Sequence, residues 1–269
     1  MARIRIENVS LDFPLYHGSA RSLKKTVFAA ASGRLGEDKR QRVVVQALRD
    51  IDIELHSGDR LGLVGSNGAG KTTLLRTIAG IYEPGVGRVR VEGSLNALLD
   101  TALGMNFDLT GRENILLRGL YNGFSKLQIA LLEDDVQEFA ELGEFLDLPV
   151  RLYSSGMMVR LSFAMATAIR PEVLLMDEWF LAGDANFIAK ARARLESVVR
   201  GADILVLSSH MSAAVLDWCT RVIWMDHGRV RMDGPAAEVM ACYQAGTEPT
   251  PAALAEAASL PEIVESVTV

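Results

Sequence analysis

The chain has 269 residues, 49% of them hydrophobic and 23% charged, with a net charge of −6. That length allows one large domain or two modest ones, and the make-up is that of an ordinary soluble globular protein. The acidic balance argues against a nucleic-acid binder, and two cysteines outside any C-x-x-C pair (Cys219 and Cys242) argue against a metal site and for reduced thiols in a cytosolic compartment.

Met1-Ala2-Arg3-Ile4-Arg5-Ile6 alternates like a strand and lacks the apolar core of a signal peptide. No stretch approaches the roughly 20 uninterrupted apolar residues that cross a bilayer, so any membrane role is expected to pass through a partner. Residues 3–9 read as a first strand, followed by Asp12-Phe13-Pro14-Leu15-Tyr16. Residues 17–46 then carry seven Lys or Arg against Glu37 and Asp38, a net of +5 within an acidic protein. This basic insertion reads either as a solvated surface segment or as a face for phosphates or lipid headgroups.

Val43-Val44-Val45 and Ile51-Asp52-Ile53-Glu54-Leu55 read as two further strands, and Ser57-Gly58-Asp59 as a turn. That turn leads into a short apolar strand, Arg60-Leu61-Gly62-Leu63-Val64. Gly65-Ser66-Asn67-Gly68-Ala69-Gly70-Lys71-Thr72-Thr73 follows, and Leu74-Leu75-Arg76-Thr77-Ile78 opens a helix. The nine residues fit the G-x-x-x-x-G-K-[ST] phosphate loop in its proper strand-to-helix context. Glycines let successive backbone N–H groups turn toward an anion, and the helix N-terminus adds partial positive charge. Lys71 is the candidate for the β/γ-phosphates and the Thr72 hydroxyl for Mg²⁺.

Glu83-Pro84-Gly85-Val86-Gly87 is a break, with a strand at residues 88–91 after it. From about residue 109 to 148 the pattern turns helical. Thr110 and Glu113 have the spacing of a capping box, Ser125 is placed to cap a second helix, and the small helical subdomain ends near Pro149. Tyr153-Ser154-Ser155-Gly156-Met157 then opens a helix over residues 158–169, stopped by Pro171. Val173-Leu174-Leu175-Met176 is a continuous apolar run ending in Asp177-Glu178, as buried parallel strands do. Asp203-Ile204-Leu205-Val206-Leu207 repeats this and ends at Ser208-Ser209-His210. Residues 221–225 and 229–232 finish the sheet around the turn Asp226-His227-Gly228. Strands alternating with helices imply a mainly parallel α/β sheet. The tail from residue 244 holds Glu248, Glu256, Glu262 and Glu265, no Lys or Arg and three prolines, and is expected to be mobile.

A phosphate loop alone serves a kinase as well as a motor. Asp177 at a strand end suits a metal shell, and Glu178 beside it suits polarising water for in-line attack on a γ-phosphate. With these residues in view, the chain resembles the ATPase subunits of ABC transporters. Tyr153-Ser154-Ser155-Gly156-Met157 resembles their LSGGQ signature, Ala182-Gly183-Asp184 their D-loop, and His210 their switch histidine. The resemblance runs from residue 3 to about residue 243. It implies a P-loop NTPase fold of ABC type: a RecA-like core sheet, an N-terminal β subdomain, and an inserted helical subdomain over about residues 109–165. It further implies a head-to-tail homodimer with ATP and Mg²⁺ as ligands. Each nucleotide would lie between the phosphate loop of one chain and Ser154 and Gly156 of the other. Asp177 would hold the metal, Glu178 act as the base, Asp184 serve the D-loop and His210 sense the γ-phosphate.

Within that family, Leu109-Thr110-Gly111-Arg112-Glu113-Asn114-Ile115, the signature stretch, and the insertion after Phe13-Pro14-Leu15-Tyr16 resemble exporters of O-antigen and other cell-surface polysaccharides. The resemblance implies a separate integral membrane subunit docked near residues 103–112, a lipid-linked polysaccharide as cargo, no nucleic acid, and a peripheral place on the cytoplasmic face of the inner membrane. An aromatic stacks on adenine in that group; Tyr16 is the first candidate and Phe13 the second. The usual Q-loop glutamine is missing, since Gln128 and Gln137 are the only glutamines between Lys71 and Ser154. Asn106 or Asp108 is left to substitute. Trp179 stands where proline is common, and Met157 replaces the signature glutamine. Other ABC importers or exporters, a soluble mechanochemical ABC ATPase and a P-loop kinase are the alternatives. One phosphate loop, no sustained heptads and an acidic balance speak against the soluble machine, and the signature stretch against the kinase.

Overall fold

The structure is a computed structural model that describes residues 1–14, 35–37, 43–99, 104–177 and 185–247. Tyr16, Glu178, Trp179 and Asp184, most of the basic insertion, and residues 248–269 lie outside the described residues.

Two sheets form the frame. One is antiparallel, in the order β2 (Leu35–Glu37), β3 (Val43–His56), β1 (Arg3–Pro14), β5 (Val86–Glu92). The other runs β10 (Arg229–Pro235), β9 (Arg221–Asp226), β4 (Arg60–Val64), β8 (Ile204–Ser208), β7 (Val173–Asp177), β6 (Leu95–Leu98). All neighbours in this second sheet are parallel except β9 and β10.

Strands β4, β7, β8 and β9 of the six-stranded sheet are buried on both faces, which explains their nearly unbroken apolar runs. Val173, Leu175, Ile204 and Val206 face a core shared with Ile4, Ile6, Leu48, Ile51 and α1 (Lys71–Ile78). Leu174, Met176, Leu205 and Leu207 point the other way, into a second core. There they meet α4 (Ser155–Thr167) and α5 (Ala185–Gly201), together with Val215 of α6 (Ser212–Trp218) and Val239 of α7 (Ala236–Ala245).

Between β6 and α4 come α2 (Gly111–Tyr121), α3 (Lys126–Ala140) and two 3₁₀ turns, Gly143–Asp147 and Val150–Leu152. Both helices start where their caps predict. Thr110 N–H donates to Glu113 Oε2 at 2.7 Å and Glu113 N–H returns to Thr110 Oγ1 at 3.1 Å. Ser125 and Gln128 repeat the box, with Ser125 N–H to Gln128 Oε1 at 2.9 Å.

Three of the differences from the sequence reading have a clear local reason. The two strands expected around residues 43–55 are one, β3, because its polar middle is a bulge. Asp50 (φ 49°) and Asn8 (φ 47°) of β1 lie at register shifts on either side of the Val9–Ile51 pair. Asp50 N–H donates to Ser10 Oγ at 3.0 Å, and Asn8 N–H to Asp52 Oδ1 at 2.8 Å, replacing lost ladder bonds. Strand β6 was not anticipated, since Asn96 interrupts its apolar pattern. That buried amide donates to Ala166 O at 2.8 Å and accepts from Arg118 Nη2 at 3.0 Å. Helix α4 begins at Ser155 rather than residue 158, because Ser154 Oγ accepts from Met157 N–H at 3.3 Å and caps it.

Cys219 closes α6 beneath β4, with its sulfur 3.4 Å from where a Cβ on Gly62 would lie. Burial pushes its thiol pKa up to about 12. A thiolate-specific reagent at pH 8 should therefore label only the half-buried Cys242 of the folded chain. Cys219 should react after unfolding, and labelling of both thiols at equal rates in the native protein would contradict this packing.

Candidate nucleotide site

Strand β4 delivers the chain at Val64 into Gly65, whose φ of 146° few residues with a side chain adopt. A Cβ there would lie 2.2 Å from Met225 O of β9, so the position is closed by backbone as well as by dihedral. Gly70 caps α1 at φ 111°, where a Cβ would meet Ala47 O at 3.0 Å. The β3 bulge therefore presses its carbonyl against the loop. Gly228 N–H donates to Ala69 O at 2.9 Å, and Arg49 N–H donates to Gly228 O at 2.8 Å. The loop is thus wedged between β3 and the β9–β10 turn.

Within the loop, Ala69 N–H donates to Ser66 O at 2.9 Å, and Leu74 N–H to Gly70 O at 2.8 Å. Helix geometry leaves the first-turn N–H groups of α1 without intrahelical acceptors, aimed at whatever occupies the loop. Lys71 is only 6% exposed, and its Nζ donates to Gly65 O at 2.7 Å and Ser66 O at 3.3 Å. A buried ammonium folded onto loop carbonyls marks a site shaped for an anion.

A cleft of about 410 Å³ opens over this loop. Asn67 and the residues through Thr73 line it on one side, Phe13, Val45 and Ala47 on another, and His210 also borders it. Phe13 is held edge-to-face on Tyr82, ring centres 5.1 Å apart, and Tyr82 Oη accepts from Arg76 at 3.1 Å. Asp177 ends β7, half-buried and paired in register with Ser208 of β8. It does not line the cleft. Since β8 separates β7 from β4, the loop, His210 and Asp177 gather at the carboxyl ends of three adjacent parallel strands, where open α/β sheets bind ligands.

The signature stretch divides in two. Ser154, Ser155 and Gly156 are exposed at the start of α4, and a Cβ on Gly156 would meet only Ser154 Oγ, at 4.0 Å. Tyr153 turns inward and donates from its hydroxyl to Phe145 O at 2.7 Å; burial raises its phenol pKa. Met157 is half-buried against the second core. None of the five lines the phosphate cleft of its own chain.

Asn106 and Asp108 sit at the base of α2 rather than in the cleft. Asn106 Oδ1 accepts from Asp108 N–H at 3.0 Å, and its backbone is held both ways by Asn114 at 2.8 and 2.9 Å. The Asp108 carboxylate pairs with Arg151 at 2.7 Å. Both side chains have local structural work, and neither reaches the phosphate loop. Val45 and Ala47 are the wall residues that sequence reading missed; their only signal was a strand that looked broken. Among the described residues no group of three or more His, Cys, Asp or Glu is placed to hold a metal ion, and no helix is long and apolar enough to cross a membrane.

The fold and loop define a P-loop nucleotide-binding ATPase. A family model described as ABC transporter matches residues 48–181. The chain is 43% identical over 231 residues to the O-antigen export system ATP-binding protein RfbE of Yersinia enterocolitica, covering 86% of this chain and 97% of that one. It is 41% identical over 205 residues to the O-antigen export system ATP-binding protein RfbB of Myxococcus xanthus, covering 76% of this chain and 47% of that longer protein. A solved structure of an ATP-binding subunit of an ABC transporter shares the fold at a TM-score of 0.64 and 22% identity, covering 92% of this chain and 95% of that one. The chain belongs to the ABC transporter family, as an ATP-hydrolysing, nucleotide-binding subunit.

Gly65→Ala tests the wedge directly. It should cost about 1–3 kcal/mol of stability through backbone overlap and strain, and weaken nucleotide binding in the same preparation. Paired thermal melts and nucleotide titrations would read both, and an unchanged melt with unchanged affinity would contradict the geometry.

Proposed function

We propose that the chain powers export of a lipid-linked cell-surface polysaccharide of the O-antigen type through a separate membrane subunit, peripheral at the cytoplasmic face of the inner membrane. The observation that carries this reading is 43% identity, spanning 97% of its length, to an O-antigen export ATP-binding protein, on a chain whose loop, strand ends and exposed signature suit a shared ATP site.

Residues 1–243 would form the ATPase domain. Two copies would pack head-to-tail, since the cleft is open and Ser154 and Gly156 face outward from the same chain. The loop N–H groups and Lys71 would hold the triphosphate, with Ser154 and Gly156 of the partner copy closing over the γ-phosphate. Mg²⁺ fits the oxygen donors available, the Thr72 hydroxyl and the Asp177 carboxylate; so small a protein share suits an ion bound chiefly by phosphate and water. When bound it would neutralise charge on the β- and γ-oxygens. Glu178 would orient and deprotonate the attacking water, His210 would contact the γ-phosphate from the cleft rim, and Asp184 would meet the partner copy. Tyr16 or Phe13 would take the adenine face. Phe13 already borders the cleft, which supports its candidacy.

The test is Glu178→Gln in the chromosomal copy of a strain without a paralogue. Surface polysaccharide should vanish and undecorated glycan accumulate inside, with nucleotide binding by the purified variant kept. Normal surface glycan in that strain would overturn the reading.

A further inference from the structure

Three helices from distant parts of the chain meet ring to ring beside the signature. Phe139 of α3, Phe163 of α4 and Phe187 of α5 are all buried, with ring centres 5.6, 5.8 and 5.9 Å apart. Cations cover this aromatic cluster. The Arg194 guanidinium lies 4.4 Å and Lys190 Nζ 4.8 Å from the Phe139 ring centre, and Arg160 lies 5.0 Å from that of Phe187.

The same cations are tied by carboxylates of α3 and its C-terminal cap. Arg194 grips Asp135 through both its terminal nitrogens. Lys190 meets Glu141 Oε1 at 2.5 Å, and Arg160 meets Glu141 Oε2 at 3.5 Å. Glu141 caps α3 at φ 54°, an unusual backbone for a residue with a side chain, and this places its carboxylate between α4 and α5. Lys190 also donates to Glu138 O and Phe139 O at 3.3 and 3.2 Å, satisfying the last carbonyls of α3. The Lys190 ammonium holds the Glu141 carboxyl below the usual carboxylate range, so the contact stays charged near neutral pH.

Position in the chain gives this cluster its meaning. Helix α4 starts at the signature, and Phe163 lies two turns along it. Helix α5 starts immediately after Asp184, and Phe187, Lys190 and Arg194 occupy its first three turns on one face. Simple burial of three phenylalanines would hold the helices together. A bidentate arginine, a helix-capping lysine and a left-handed glutamate fix them in one orientation.

We infer that this three-helix latch couples the signature helix to residues 178–184, with Lys190 and Arg194 as positioning residues for ATP hydrolysis. Its link to catalysis rests on the roles proposed above for Ser154, Gly156 and Glu178. Because the middle of α4, at Arg160 and Phe163, is clamped to Phe187 in the first turn of α5, a displacement of the signature helix would be passed to the start of α5, which residues 178–184 precede in the chain.

Trp179 lies within that segment and provides the probe. The full chain, labelled with 5-fluorotryptophan, gives resonances for Trp179, Trp218 and Trp224, the first assigned with Trp179→Phe. On addition of ATP, the Trp179 resonance of the wild-type chain should shift. In Arg194→Met that shift should be lost while ATP still binds, kcat should fall about tenfold, and KM should stay within about twofold. Arg194→Lys, which keeps the charge, should recover most of kcat. Asp135→Asn combined with Arg194→Met should be no slower than Arg194→Met alone, since both cut one contact.

A wild-type Trp179 shift in folded Arg194→Met, or kcat within about twofold of wild type, would overturn the latch. So would losses at Asp135 and Arg194 that multiply, or a kcat loss that only follows the unfolded fraction in thermal melts. If Arg194→Met does not fold, Lys190→Met is read by the same criteria. A wild-type chain that binds ATP without hydrolysing it would sink the ATPase mechanism instead. The Trp179 shift needs only binding and would still decide the latch.

Discussion

Everything at the nucleotide site depends on a backbone carbonyl pressed against glycine. Ala47 O, in the bulge of β3, leaves no room for a Cβ on Gly228 and crowds one on Gly70, and Met225 O leaves none on Gly65. These contacts bring the antiparallel sheet, the β9–β10 turn and the phosphate loop together at one point. The loop is rigid because its neighbours are strands of two different sheets. A preformed cradle has already met the conformational cost of ordering, so its N–H groups are directed before any anion arrives. The bulge gains a purpose in this setting, since Ala47 lies at one of its register shifts and presents its carbonyl to the loop.

Much of this was legible in the sequence, and the gaps have physical causes. Buried parallel strands such as β7 and β8 read clearly, because burial on two faces leaves only apolar residues. The capping residues Thr110 and Ser125 marked their helices to the residue. The β3 bulge was misread as a gap because its polar residues bond to Asn8 and Ser10 of β1, a pairing that exists only once β1 is alongside. Strand β6 was hidden by Asn96, whose partners lie 22 and 70 residues away. The phosphate loop could be read from its own spacing and its strand-to-helix context, whereas the signature stretch and His210 were named only through the family resemblance. The Val45 and Ala47 wall could not, nor could the fate of Asn106 and Asp108. Their roles follow from which distant groups already occupy them.

The two halves of the proposed machinery sit apart on one chain. The cleft holds no signature residue, and the signature residues lie open at the start of α4. Tyr153 and Met157 anchor that turn from beneath, so Ser154 and Gly156 are presented by a fixed platform rather than a loose loop. Under the proposed shared site, a second copy would complete each exposed half. The aromatic and ionic contacts among α3, α4 and α5 then give the signature a mechanical route to the segment that would carry the base.

The most direct measurement is sedimentation of purified Glu178→Gln chain with and without ATP. The account predicts a monomer without nucleotide and a dimer holding two ATP with it, the dimer lost when Ser154 is replaced by arginine. A chain that binds ATP and stays monomeric, or a dimer indifferent to Ser154→Arg, would contradict the shared site.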